Sequence, residues 1–196
     1  MVYKICLSST HGTGKTSLAA SIEGELKKHG IEARYLRETA SEAKEIGLSI
    51  NQHTTLEAQM YILHTQFAQE LRYSSQHKNP PIYQVIICDR GPDNYCYLKH
   101  NLGENTYALN MTLGHLNSFP YNRIYLLPII EEHIAIGSGA RALDTEFQKH
   151  MDQEIRAFLK QHEISYIELP PPAEKDSFRH EWLNTIITQT LQDLKH

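Results

Sequence analysis

Eight residues near the start of the chain, Ser9-Thr10-His11-Gly12-Thr13-Gly14-Lys15-Thr16, have the types and spacing to hold a polyphosphate. The pattern G-x-x-x-x-G-K-[ST] is met at Gly14, Lys15 and Thr16 and fails at its first position, where Ser9 stands in place of glycine. Such a loop turns its backbone N–H groups inward around phosphate oxygens, and Gly12 and Gly14 supply the φ freedom this needs. Lys15 can reach the β- and γ-phosphates, Thr16 can place its hydroxyl on Mg²⁺, and the helix that follows presents its N-terminus to the anion. His11, Gly12, Thr13, Gly14, Lys15, Thr16 and Ser17 are therefore the candidate residues for binding ATP. The guanine motif N-K-x-D is absent, which favours an adenine nucleotide.

Val85-Ile86-Ile87-Cys88-Asp89 is an apolar run ending in a carboxylate, the form expected of a strand that brings an acid to the metal. Thr16 and Asp89 are the candidate Mg²⁺ ligands. The acceptor side falls to Arg37 and Glu38, and to Arg90 and Asp93. Glu38 is of the right type to take a proton from an acceptor hydroxyl, and Arg90 to hold an anionic group or the transferring phosphate. Arg37 and Glu38 also read as an ordinary surface ion pair, and Asp93 as an acid at a helix start. Arg141 lies in the stretch 129–143, whose weak periodicity and Gly137-Ser138-Gly139 read as a mobile lid or as a plain surface loop. Lys15, Glu38, Asp89, Arg90 and Arg141 form the candidate catalytic set. Tyr61, Tyr95, Tyr97 and Tyr107 read as base-stacking residues or as core.

Placing these residues together requires a scaffold. β-rich runs occur at Val2–Ser8, Ile31–Leu36, Gln84–Cys88, Ile124–Leu127 and Ile164–Leu169. Helical periodicity occupies about 15–29, 40–50, 54–76, 92–101, 104–117, 146–162 and 177–195. Leu18, Ile22 and Leu26 share one face of the first helix; Leu56, Met60, Leu63, Phe67 and Leu71 share one face of the third. Thr145 and Gln148 have the spacing of a capping box. Alternating strands and helices predict an α/β fold with a parallel sheet covered on both faces, in one domain spanning 1–196.

Composition narrows the function class. The 196 residues carry a formal net charge of −4 with no dense Lys/Arg block, which argues against nucleic acid as a partner. No apolar run approaches a membrane span, and the N-terminal stretch is too short for a secretory signal. Three cysteines do not make a disulfide framework and fit a reducing, cytoplasmic setting. The twelve histidines show no zinc spacing and read as surface residues. A homodimer stays open.

The P-loop at 9–16, Arg37-Glu38-Thr39, Asp89-Arg90-Gly91-Pro92-Asp93 and the run Ala140–Phe147 occur in an order that resembles small P-loop kinases. The chain is similar to the AAA-type ATP-binding family that includes the ribosylnicotinamide kinase domain of NadR, and more distantly to thymidylate and deoxynucleoside kinases. The resemblance implies a five-stranded parallel sheet of order 2-3-1-4-5 and transfer of the ATP γ-phosphate to a small nucleoside-like or nucleotide-like acceptor. It maps the carboxylate base onto Glu38 and the acid–arginine pair onto Asp89-Arg90, while Thr39 stands where thymidylate kinases carry proline. A kinase is the leading expectation. A regulatory ATPase that switches a protein partner is the alternative, and a nucleotide-binding module without turnover is a third.

Overall fold

A computed structural model describes residues 2–50, 53–74, 82–130, 145–171 and 178–195. Its elements run β1 (Tyr3–Ser8), α1 (Lys15–Lys28), β2 (Ala33–Leu36), α2 (Thr39–Glu45), α3 (Leu56–Ser74) and β3 (Val85–Asp89). They continue with α4 (Asp93–Leu102), α5 (Thr106–Ser118), β4 (Arg123–Leu126), α6 (Thr145–Gln161), β5 (Ile167–Glu168) and α7 (Phe178–Asp193). The strands form one parallel sheet in the order β2-β3-β1-β4-β5. This is the α/β fold and strand order that the sequence reading anticipated.

β1 and β3 are buried along their whole length, as central strands of a two-sided sheet must be. Their side chains alternate. Tyr3, Ile5 and Leu7 join Leu18, Ile22 and Leu26 of α1 and Trp182 and Ile186 of α7 in one core layer. The opposite layer gathers Leu63, Phe67, Tyr95, Leu98, Met151 and Ile155 from α3, α4 and α6. β1 lies between β3 and β4, so the chain leaves it toward one side of the sheet and later crosses to the other. Parallel sheets bind ligands at such a reversal, beyond the carboxyl ends of the strands. Register places Asp89 beside Leu7 there.

Three local expectations are corrected. The fifth strand is only Ile167–Glu168, because Ile164 donates its N–H to the Leu159 carbonyl and so closes α6 instead of opening a strand. Thr145 is the first residue of α6, and the amide of Gln148 reaches the His11 carbonyl at 3.0 Å while its Oε1 takes no hydrogen bond, so no capping box forms. His115 is buried on α5 against Glu70, and is not a surface histidine. Arg141 and most of the expected lid lie outside the described residues.

Candidate active site

The loop between β1 and α1 takes its shape from two glycines, Gly12 at φ 76° and Gly14 at φ 85°, in the left-handed region. A Cβ at Gly12 would stand 2.8 Å from Gln148 Nε2, the end of a side chain that can move aside, so the left-handed φ is what favours glycine there. Ser9 is not among the positive-φ residues, which is why serine serves where the motif expects glycine. It is fully buried, and its hydroxyl is 2.5 Å from Thr13 Oγ1. Lys15 is also buried and curls back along the loop. Its ammonium donates to the Ser9 carbonyl and hydroxyl, both at 3.0 Å, and to the Thr10 carbonyl at 2.6 Å. Burial, reinforced by the Arg90 charge, lowers its pKa to about 8. The first turn of α6 docks on this loop through Phe147, whose ring lies 5.4 Å from that of His11, and through Gln148. Ser17 is exposed on α1, one residue past Thr16.

Asp89 ends β3 fully buried. Its Oδ2 accepts from Thr16 Oγ1 at 2.6 Å and from Tyr35 Oη at 3.1 Å. Its Oδ1 is buried with no hydrogen-bond partner. A hydroxyl and a carboxylate side by side suit a hard divalent cation that takes its other ligands from phosphate and water. The described residues hold no cluster of three or more His, Cys, Asp or Glu that could hold a metal ion.

On the acceptor side, Arg90 donates from Nε to Glu38 Oε1 at 2.7 Å. The pair is largely buried, with 5% and 11% of the two side chains exposed. The guanidinium lies over the Tyr97 ring, 4.3 Å from its centroid, and Nη1 sits 3.6 Å from Asp93 Oδ2. Asp93 is the first residue of α4 and so stands as its helix-start acid. One oxygen takes the Gly91 N–H at 2.7 Å, and the other is buried without a hydrogen bond, as is Arg90 Nη1. Burial raises the Asp93 pKa against the opposing pull of Arg90 and Lys15. The Arg37–Glu38 pair read from the sequence does not form, because Glu38 turns inward to Arg90. Arg37 is exposed and lines a cavity of about 310 Å³ at the edge of β2 with Arg34, Arg72 and Tyr73.

Lys15, Thr16, Asp89, Arg90, Asp93 and Glu38 thus come together, and Arg37 stays at the rim. Tyr95 is core against Phe158, and Tyr107 is 62% exposed. Tyr97 supports Arg90. The sequence reading missed Tyr35 and Gln66; Gln66 donates to the Arg90 carbonyl at 3.2 Å. Nothing in the composition of β2 singles out Tyr35. Gln66 and Glu70 leave a detectable trace, being polar residues set beside Leu63 and Phe67 on the apolar face of α3.

Comparison with known proteins places this geometry in context. A family model described as AAA domain matches residues 4–176. No curated protein sequence matches the chain. A crystal structure of NadR protein in complex with NR has a TM-score of 0.74 and 15% identity, covering 94% of this chain and 50% of that one. A NadR structure with NAD and AMP-PNP gives 0.72 and 14%, covering 94% and 48%. A deoxyadenosine kinase from M. mycoides with dCMP and a flexible dCDP bound gives 0.62 and 18%, covering 98% of each chain. The chain therefore spans about half the length of the NadR chains it matches.

Proposed function

Because the chain belongs to the AAA domain family, we propose that it is a kinase that transfers the γ-phosphate of ATP to a hydroxyl of a small, nucleoside-like acceptor. The observation that carries this reading is the Glu38–Arg90 pair, joined at 2.7 Å and next in sequence to the Asp89 that bonds Thr16 of the P-loop. A nucleotide-binding loop alone fits many activities. A buried carboxylate and guanidinium at the same end of the sheet add the two functions a hydroxyl acceptor needs.

In this reading the backbone amides of 11–16 and the α1 N-terminus cradle the phosphates. Lys15 exchanges its loop carbonyls for phosphate oxygens. Thr16 and Asp89 would hold Mg²⁺, which neutralises charge on the phosphates when bound. Glu38 accepts the proton of the attacking hydroxyl, and Arg90 fixes the direction of that carboxylate. Catalysis is then mainly positioning and preorganised charge.

The test is a screen of nucleosides and nucleoside monophosphates for acceptor-dependent ADP release from Mg·ATP. Stimulation by an acceptor of one of these two kinds is expected, and the kind that stimulates identifies the acceptor class. Slow hydrolysis that no acceptor stimulates would instead favour the nucleotide-dependent switch.

A further inference from the structure

We propose that Gln66 is the positioning residue of the acceptor site, anchored by a buried charge cluster around Glu70; this rests on the roles given above to Glu38 and Arg90. Gln66 is fully buried on α3, and all of its polar atoms are engaged. Its amide nitrogen donates to Glu70 Oε1 at 2.9 Å and to the Arg90 carbonyl at 3.2 Å. Its oxygen accepts from Thr39 Oγ1 at 3.4 Å. Thr39 follows Glu38 directly. One amide therefore ties together, from behind, the two loops that supply the acceptor-side pair. The orientation of that amide is set by chemistry, since Glu70 and the Arg90 carbonyl are acceptors and the Thr39 hydroxyl is able to donate.

The tie acts on a backbone that needs holding. Arg90 has φ 89°, a conformation unfavourable for any residue with a Cβ. Its N–H is pinned by the Leu7 carbonyl at 3.1 Å and its carbonyl by Gln66. With both sides of the residue fixed, the guanidinium points at Glu38. Released from Gln66, the residue is free to relax toward ordinary angles and swing its side chain away. Gly91, the next residue, lies directly on the cluster; a Cβ there would stand 2.7 Å from both Cys6 Sγ and Tyr121 Oη.

The anchor is itself rigid. Glu70 is fully buried and accepts from Tyr121 Oη at 2.6 Å and Lys4 Nζ at 3.0 Å, with His115 Nε2 at 3.0 Å. Lys4 also donates to the Phe119 carbonyl at 2.6 Å. Burial pushes the Glu70 carboxyl up, but the His115 hydrogen bond, the Lys4 charge and the Tyr121 and Gln66 hydrogen bonds outweigh it and hold the pKa below the usual range. A buried ion pair of this kind contributes little net stability compared with apolar residues of the same volume. Its placement beneath residues 90 and 91 gives it a use in specifying geometry.

The experiment compares Gln66→Met with the wild-type chain. Acceptor-dependent kcat is expected to fall about tenfold, while the Kd for Mg·ATP stays within about twofold, because only the acceptor half is displaced. In a cycle with Arg90→Lys the two losses are expected not to add, since Gln66 acts through Arg90. Additive losses, or an unchanged kcat, overturn the proposal. A second readout needs no turnover. The Arg90 Nε–H resonance of ¹⁵N-labelled protein is expected to be protected from exchange by its hydrogen bond to Glu38 and to lose that protection in Gln66→Met. Retained protection in the variant, or none in the wild-type chain, overturns the proposal. If no acceptor is phosphorylated by the wild-type chain, the kinase reading falls and the resonance still decides the role of Gln66. Should Gln66→Met fail to fold, Thr39→Val removes one partner of the same amide and is expected to lower kcat about threefold with Mg·ATP binding intact, an unchanged kcat again counting against the proposal.

Discussion

In the phosphate half of the site, consecutive residues from Ser9 to Thr16 supply the cradle, its lysine and its hydroxyl. In the proposed acceptor half, Glu38 lies just past β2, Gln66 in the middle of α3 and Arg90 just past β3. The phosphate half is held by local forces: glycine conformations, a helix N-terminus, and a lysine bonded to its own loop. The acceptor half is held by long-range contacts, with Glu38 and Arg90 separated by 52 positions and Gln66 and Arg90 by 24. A polyphosphate presents the same oxygens in every nucleotide, so a contiguous cradle serves it. An acceptor has an individual shape, and in the proposed reading groups carried on separate elements set its position independently of the cradle.

The sharpest way to separate the halves is Glu38→Gln. It is expected to lower transfer by about 10³-fold while leaving the Kd for Mg·ATP within about twofold, as removal of a general base would. Unchanged transfer would take Glu38 out of the mechanism. Next in size is the fold beneath the acceptor half. Glu70→Ala leaves Lys4 buried without its partner and is expected to destabilise the chain by about 3 kcal/mol in urea unfolding, whereas Lys4→Met with Glu70→Leu recovers most of that. Equal loss in the single and double variants would show that the charges do not act as a pair.

Lys15→Ala reports on the phosphate half and is expected to cost about 10²-fold in turnover, comparable to removing one preorganised donor. Wild-type turnover in that variant breaks the comparison at its better-defined end. The smallest effect is on pH. Lys15 titrates at about 8 because burial disfavours its charged form, and bound phosphate restores that form by raising the pKa. The binding-competent ammonium is already present below about pH 8, so affinity for Mg·ATP is expected to be flat there. Above it, binding must take up a proton, and affinity falls by up to about tenfold per pH unit. Calorimetry across that range checks the sign; affinity rising with pH would contradict the assignment.

Legibility followed the same division. The P-loop, Asp89 and the helix faces were readable because each depends on residue type at fixed spacing along one segment. Glu38 and Arg90 were readable as types beside strand ends, but their pairing was not, and an ion pair of Glu38 with the nearer Arg37 stood as an alternative. Arg37 and Glu38 both lie past the end of β2, and Glu38 caps α2 with its side chain turned to Arg90, so proximity along the chain does not give contact. Gln66 and Glu70 interrupted an apolar helix face and Lys4 interrupted an apolar strand, yet nothing along the chain says that these interruptions meet.

By itself the sequence determined the α/β alternation, the phosphate-cradling loop and the acid at the end of β3. These follow from backbone conformation and hydrophobic periodicity, which act over a few residues. Only the tertiary structure decided which carboxylate Arg90 engages, that Tyr35 and Thr16 share one oxygen of Asp89, and that a buried glutamine joins the segments that follow β2 and β3. Those outcomes depend on the directions in which side chains from distant segments converge, and such directions exist only after the sheet has set its order and register.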